Sequence, residues 1–150
     1  MTKTQGGFLM SQIRHLSGRM WERVLKESGI DVFNGAQGRI LYVLWEHGQL
    51  TITEIGQLTS LAKTTLTSML DRMEARGLIE RMPDKKNRRQ IFISVTEKAM
   101  GYREKYNEIS RRMNDIFYDG FTPEEILGFD DQLRRVLENF ERFQEFECGE

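Results

Sequence analysis

One stretch, Leu78 to Thr96, constrains the chain more than any other. The apolar pair Leu78-Ile79 leads through Glu80-Arg81-Met82-Pro83 into a tip too polar to bury, Asp84-Lys85-Lys86-Asn87-Arg88-Arg89. Ile91, Ile93 and Val95 then alternate with Phe92 and Ser94, the period of a strand with one covered face. The pattern predicts a β-hairpin with a cationic tip. From Arg76 to Gln90 six basic residues stand against two acidic ones, and from Asp115 to Glu150 eleven acidic residues stand against three basic ones. A net charge of -1 therefore hides a polarised chain. Local fields decide where a polyanion docks.

Around the hairpin the apolar spacing is helical. Leu9, Ile13, Leu16, Met20 and Val24 mark a first helix from Phe8 to about Glu27, ended by Ser28-Gly29. A second runs from about Gly35 to His47 and stops at Gly48. Thr51-Ile52-Thr53-Glu54 starts a short third helix, with Thr53 as its expected N-cap. After Ser60-Leu61-Ala62 a fourth helix, Lys63 to Arg76, carries Leu66, Met69, Leu70 and Met73 on one face. A single fifth helix is expected from Thr96 to about Tyr118. Thr122-Pro123-Glu124-Glu125 starts a sixth, with a hydroxyl cap, Pro at the first helical position and acids facing the positive dipole end.

The chain has 150 residues, 39% apolar and 30% charged, enough for one packed subunit and too apolar for global disorder. No apolar run approaches the ~20 residues needed to span a bilayer. Residues 1–7 are polar, without the apolar core of a signal peptide. Cys148 is the one cysteine, which excludes an intrachain disulfide or cysteine zinc cluster; it reads as an inert tail thiol. A soluble, cytoplasmic protein is expected. His15 and His47 lie in no catalytic or metal motif and no Gly-rich phosphate loop follows a strand, so neither an enzyme, nor a metal, nor a cofactor is expected.

Two short helices joined by a tight turn and followed by a hairpin make a winged helix-turn-helix. The fold expected is mainly α with a small β-hairpin wing, flanked by N- and C-terminal dimerisation helices. Its second motif helix enters the major groove of duplex DNA. Lys63, Thr64, Thr65, Ser68 and Arg72 are the candidate DNA contacts on that helix, because short hydroxyls allow close approach and can donate or accept. Such residues also populate ordinary solvated faces, so the helix alone decides little. Lys85, Lys86, Arg88 and Arg89 are the candidates on the wing. Charge also protects edge hairpins from aggregation, but four cations in five positions exceed that need. The terminal helices carry apolar stripes longer than the winged unit can cover, which points to a second copy. The expected division is a dimerisation helix in 1–34, the DNA-binding unit in 35–100 and dimerisation helices in 101–150.

These residues resemble one known family, the MarR-type winged helix-turn-helix regulators. Glu54-Ile55-Gly56 is similar to the family's E-L-A. Asp71-Arg72-Met73-Glu74-Ala75-Arg76-Gly77-Leu78-Ile79-Glu80-Arg81 is similar to its D-R-L-E-x-x-G-L-V-x-R. Arg88 through Lys98 resembles the wing strand and the L-T-x-x-G that opens the next helix. The resemblance implies a homodimer on a short inverted repeat, Arg89 inserted in the minor groove, and a repressor released by a small aromatic effector. By position Arg14, His15, Trp21, Tyr42 and Trp45 would border the effector cleft. Three positions depart from the pattern. Asn87 replaces the usual wing Asp, so an Asp–Arg orienting pair is lost or replaced by a weaker hydrogen bond. Ala62 replaces a capping Ser, at a cost of about 1 kcal/mol. Ala99 replaces the Gly of T-x-x-G. The first helix lacks the reactive Cys of the family's peroxide-sensing branch. The alternative to a DNA-binding regulator is a winged-helix module that grips protein.

Overall fold

The computed structural model describes residues 3–147, so Cys148 lies outside the described residues. Two compact units divide at Arg111 and Arg112. The first opens with α1 (Gly6–Glu27) and α2 (Gly35–His47), followed by the two-residue strand β1 (Leu50–Thr51). Then come α3 (Ile52–Thr59), α4 (Lys63–Ala75), β2 (Ile79–Pro83), β3 (Ile91–Val95) and α5 (Glu97–Met100). Helix α6 (Arg103–Phe117) begins in the first unit, and α7 (Pro123–Glu147) lies in the second. The fold is the expected mainly helical one. No helix among the described residues is long and apolar enough to cross a membrane.

Local chemistry explains most boundaries. Helix α1 closes in a Schellman turn: Gly29 takes φ +79°, its N–H reaches the Lys26 carbonyl, and the Ile30 N–H reaches Leu25. The same device ends α4, with Gly77 at φ +74° and the Leu78 N–H on the Met73 carbonyl. Asn34 and Gln37 form a reciprocal capping box on α2, and the Glu22 carboxylate of α1 accepts the Gly35 N–H at 2.7 Å. The N-cap of α3 is Thr51, not Thr53. Thr51 Oγ1 accepts the Glu54 N–H while the Glu54 carboxylate takes the Thr51 N–H, a box in which position 54 is the third helical residue. Ser60 ends α3 in the left-handed region at φ 60°, giving the helix-turn-helix its sharp corner.

Two elements differ from expectation. The wing is part of a three-stranded antiparallel sheet, ordered β1-β3-β2, because Leu50 pairs with Ile93 and Thr51 with Phe92. The expected fifth helix is two, α5 and α6. The Gly101 N–H still bonds four residues back to Glu97, but the Tyr102 N–H shifts to Ala99, three residues back. The ladder resumes with Tyr106 bonded to Tyr102.

The core of the first unit draws on its helices and its sheet together, with Leu25, Leu41, Ile55, Leu70, Ile93 and Tyr106 all buried. Leu66, Met69, Leu70 and Met73 bury the inner face of α4, as their spacing requires. Tyr106, only 3% exposed, stands among aromatic rings: Trp21 stacks at 5.4 Å, Trp45 tilts at 5.4 Å, and Phe33 lies at 6.3 Å. Gly38 makes this possible, since a Cβ there would sit 2.7 Å from Tyr106 Cε2 and 3.3 Å from Phe33 Cε2. In the second unit Thr122 and Glu125 cap α7 reciprocally, and the Tyr118 hydroxyl donates to Asp130. Large apolar side chains remain uncovered in both units: Phe8, Leu9, Ile13 and Leu16 on α1, and Leu127, Phe140 and Phe143 on α7.

Two tests follow from the Tyr106 cluster. Gly38→Ala overpacks a rigid aromatic junction and is expected to cost about 1–3 kcal/mol in urea unfolding. Burial pushes the Tyr106 phenol from 10.0 to about 12, with Arg39 opposing more weakly. A native value above the unfolded one means stability is full below pH 10 and is lost as pH rises towards 12. Tyr106→Phe keeps the ring and should flatten that part of the alkaline stability curve relative to wild type.

Candidate nucleic-acid interface

Helix α4 presents its polar face without internal competition for most of its first turn. Ala62 occupies the N-cap with no side-chain acceptor, and the first backbone bond runs from the Leu66 N–H to the Ala62 carbonyl at 2.9 Å. Lys63, Thr64 and Thr65 are exposed on this turn. Neither threonine hydroxyl has a hydrogen-bond partner among the described residues, whereas Thr67 Oγ1 donates to the Lys63 carbonyl at 2.8 Å. One turn on, Arg72 Nη2 donates to Ser68 Oγ at 3.0 Å, so these two candidates form a single exposed polar unit.

The base of the wing is tied to this helix by Arg81, which the sequence reading did not include among site residues. Its guanidinium reaches Asp71 Oδ1 and Glu74 Oε1, both at 2.8 Å. The Arg81 side chain is 21% exposed and the carboxylates more so. The fork therefore spans from β2 to two successive turns of α4 and offsets one of the two negative charges there. The signal was present in the sequence: a cation placed ten and seven residues after two acids, across the Gly77 turn. Nearby, Lys98 Nζ donates to the Arg76 carbonyl and Thr96 Oγ1 to the Gly77 carbonyl, closing the end of α4 against α5.

At the tip two side chains shape the loop. Asp84 Oδ1 accepts the Lys86 N–H at 2.9 Å and Asn87 Oδ1 accepts the Arg89 N–H at 3.2 Å. The Asp84 N–H reaches the Gln90 carbonyl, and the Gln90 N–H the Asn87 carbonyl. Asn87 thus orients the backbone of Arg89 and not its guanidinium. Lys85, Lys86, Arg88 and Arg89 are all exposed, and their charged groups have no ion-pair or hydrogen-bond partner among the described residues.

The five residues named for an effector cleft fall into two groups. Arg14 and His15 are exposed on α1, along a shallow groove with Ser11, Gly18 and Glu22. Trp21, Tyr42 and Trp45 instead surround Tyr106, itself absent from the sequence reading. Trp45 Nε1 is buried without a hydrogen-bond partner among the described residues, an orphaned donor in an aromatic junction. Among the described residues no group of three His, Cys, Asp or Glu could hold a metal ion.

Arg81→Ala should lower stability to urea by about 1 kcal/mol, the scale of a charge-assisted pair near the surface. Arg81→Lys should recover less than half of that loss, because one ammonium cannot span both carboxylates as the fork does.

Comparison with known proteins places this architecture. Residues 33–91 match the family model described as MarR family. An uncharacterised HTH-type transcriptional regulator of Bacillus subtilis (strain 168), YsmB, is 30% identical over 138 residues, covering 87% of this chain and 89% of that protein. The HTH-type transcriptional repressor IacR of Pseudomonas putida is 28% identical over 120 residues, covering 80% of this chain and 70% of IacR. Two further relatives are matched over only 47% and 66% of their own lengths. The solved structure of overoxidized AbfR bound to DNA superposes with a TM-score of 0.70 at 26% identity, covering 91% of this chain and 92% of that one. With a family match across the helix-turn-helix and a relative aligned along nearly its whole length, the chain belongs to the MarR family of transcriptional regulators.

Proposed function

We propose that the protein is a sequence-specific regulator of transcription that binds double-stranded DNA as a homodimer and acts as a repressor released by a small ligand. One observation carries the DNA reading: four wing cations and the first-turn hydroxyls of a reading helix with no side-chain cap lie in one compact unit, all without a partner among the described residues. Helix α4 would enter the major groove, with Lys63, Thr64, Thr65, Ser68 and Arg72 towards base edges or flanking phosphates. Lys85, Lys86, Arg88 and Arg89 would lie along the adjacent backbone and minor groove, where displaced counterions drive binding. The repressor reading is supported by IacR, and the DNA reading by AbfR, each by its own description.

The homodimer reading is supported by the apolar faces of α1 and α7, where Phe8, Phe140 and Phe143 are each about 70% exposed. Hydrophobic surface on that scale is buried in an assembly more often than left in water. Two reading heads about 34 Å apart would meet successive major grooves on one face of the duplex. The effector reading is supported by the orphaned Trp45 Nε1 beside Tyr106. The junction is packed in this state, so an aromatic ligand with an acceptor group would reach the donor only as the rings part.

Titration of the purified protein against a duplex from its own upstream region tests the DNA reading. Log affinity should fall linearly with log salt, by about 0.9 per phosphate neutralised, and Arg89→Ala should weaken binding. Binding to no duplex at low salt would remove the proposal. Affinity that does not change with salt would favour a protein partner for the winged unit.

A further inference from the structure

The carboxamide of Asn87 has one orientation. Its acceptor side takes the Arg89 N–H at 3.2 Å, and an N–H must meet an oxygen, so Nδ2 occupies the opposite side. The other bonds of the tip leave Nδ2 out: Asp84 Oδ1 accepts the Lys86 N–H at 2.9 Å, and the Gln90 N–H donates to the Asn87 backbone carbonyl at 3.0 Å. Asn87 is exposed, between Lys86 and Arg88. Its two N–H donors therefore have no partner among the described residues and stand amid four cations. An aspartate at this position would hold the same turn with the same oxygen but would offer only acceptors and a negative charge.

We propose that Asn87 is itself a DNA-contacting residue, its Nδ2 donating to an acceptor on the duplex. The inference rests on the DNA-binding reading above. Phosphate oxygens offer acceptors alone, and the minor-groove edge of an A·T pair likewise offers only the adenine N3 and thymine O2 acceptors. Both match the free amide, and neither tolerates a carboxylate. In this chain the wing gives up an acid that could steer Arg89 and gains a donor that reaches the duplex.

Full-length Asn87→Asp and Asn87→Ala, measured by fluorescence anisotropy on the upstream duplex, test the contact. Asn87→Asp preserves the turn acceptor, so its melting temperature should equal wild type while its affinity falls by roughly tenfold or more. Asn87→Ala should weaken binding by a smaller but clear factor. A phosphate contact predicts the same loss when the flanking A·T pairs become G·C. A base-edge contact predicts a smaller loss there, because the guanine amino group obstructs the groove floor. Asn87→Asp binding as tightly as wild type would overturn the contact. So would Asn87→Ala binding like wild type while Asn87→Asp fails, since the effect would then be charge repulsion alone. Wild-type protein that binds no duplex fails at the broader reading, and that outcome is visible before any Asn87 variant is compared.

Discussion

The junction of the wing with helix α4 is organised by a single guanidinium. Arg81 rises from the first wing strand and grips Asp71 and Glu74 on α4. A planar fork has little freedom once both ends are engaged, so helix and sheet meet at a fixed angle. Without it, two carboxylates would stand uncompensated on the face where anionic duplex is proposed to dock. One side chain therefore sets geometry and corrects the local field. The buried stripe Leu66, Met69, Leu70 and Met73 supplies the cohesive free energy of this helix, but apolar packing is tolerant in rotation where a bidentate ion pair is not.

Much of this was legible in the sequence because the relevant physics is local. Spacing of three and four residues located α4, and the buried residues are those the spacing named. Thr122, Pro123 and Glu125 marked the start of α7 through chemistry confined to one turn. The wing declared itself through alternation and charge. What escaped depends on contacts between distant residues or on a choice between equivalent local options. Thr51 and Thr53 are both good caps, and only the position of Glu54 selects the first. Strand β1 is too short to carry a period and exists because Ile93 and Phe92 offer it an edge. The shift at Tyr102 occurs beside a glycine in ordinary helical conformation, which no composition rule flags.

Tyr106 shows the same limit at the candidate site. Its importance comes from Trp21, Phe33 and Trp45, which lie far from it in sequence, and from the bare backbone of Gly38. A reading along the chain could name the tryptophans as effector candidates but not the phenol they surround. Arg14 and His15, named with the tryptophans, stand exposed along the groove of α1. The wing tip was read better as charge than as geometry: its cations were named, while the turns that Asp84 and Asn87 build needed coordinates.

Ala62 has a consequence for how order would be distributed between free and bound states. A helix that begins without a side-chain acceptor leaves its leading amide hydrogens to water and frays more readily from that end. An incoming phosphate oxygen is a suitable replacement acceptor at the positive pole of the helix. Docking would then finish the first turn of the reader as well as place it. The chain would hold its probe slightly loose in solution and rely on the nucleic acid itself to complete the missing cap.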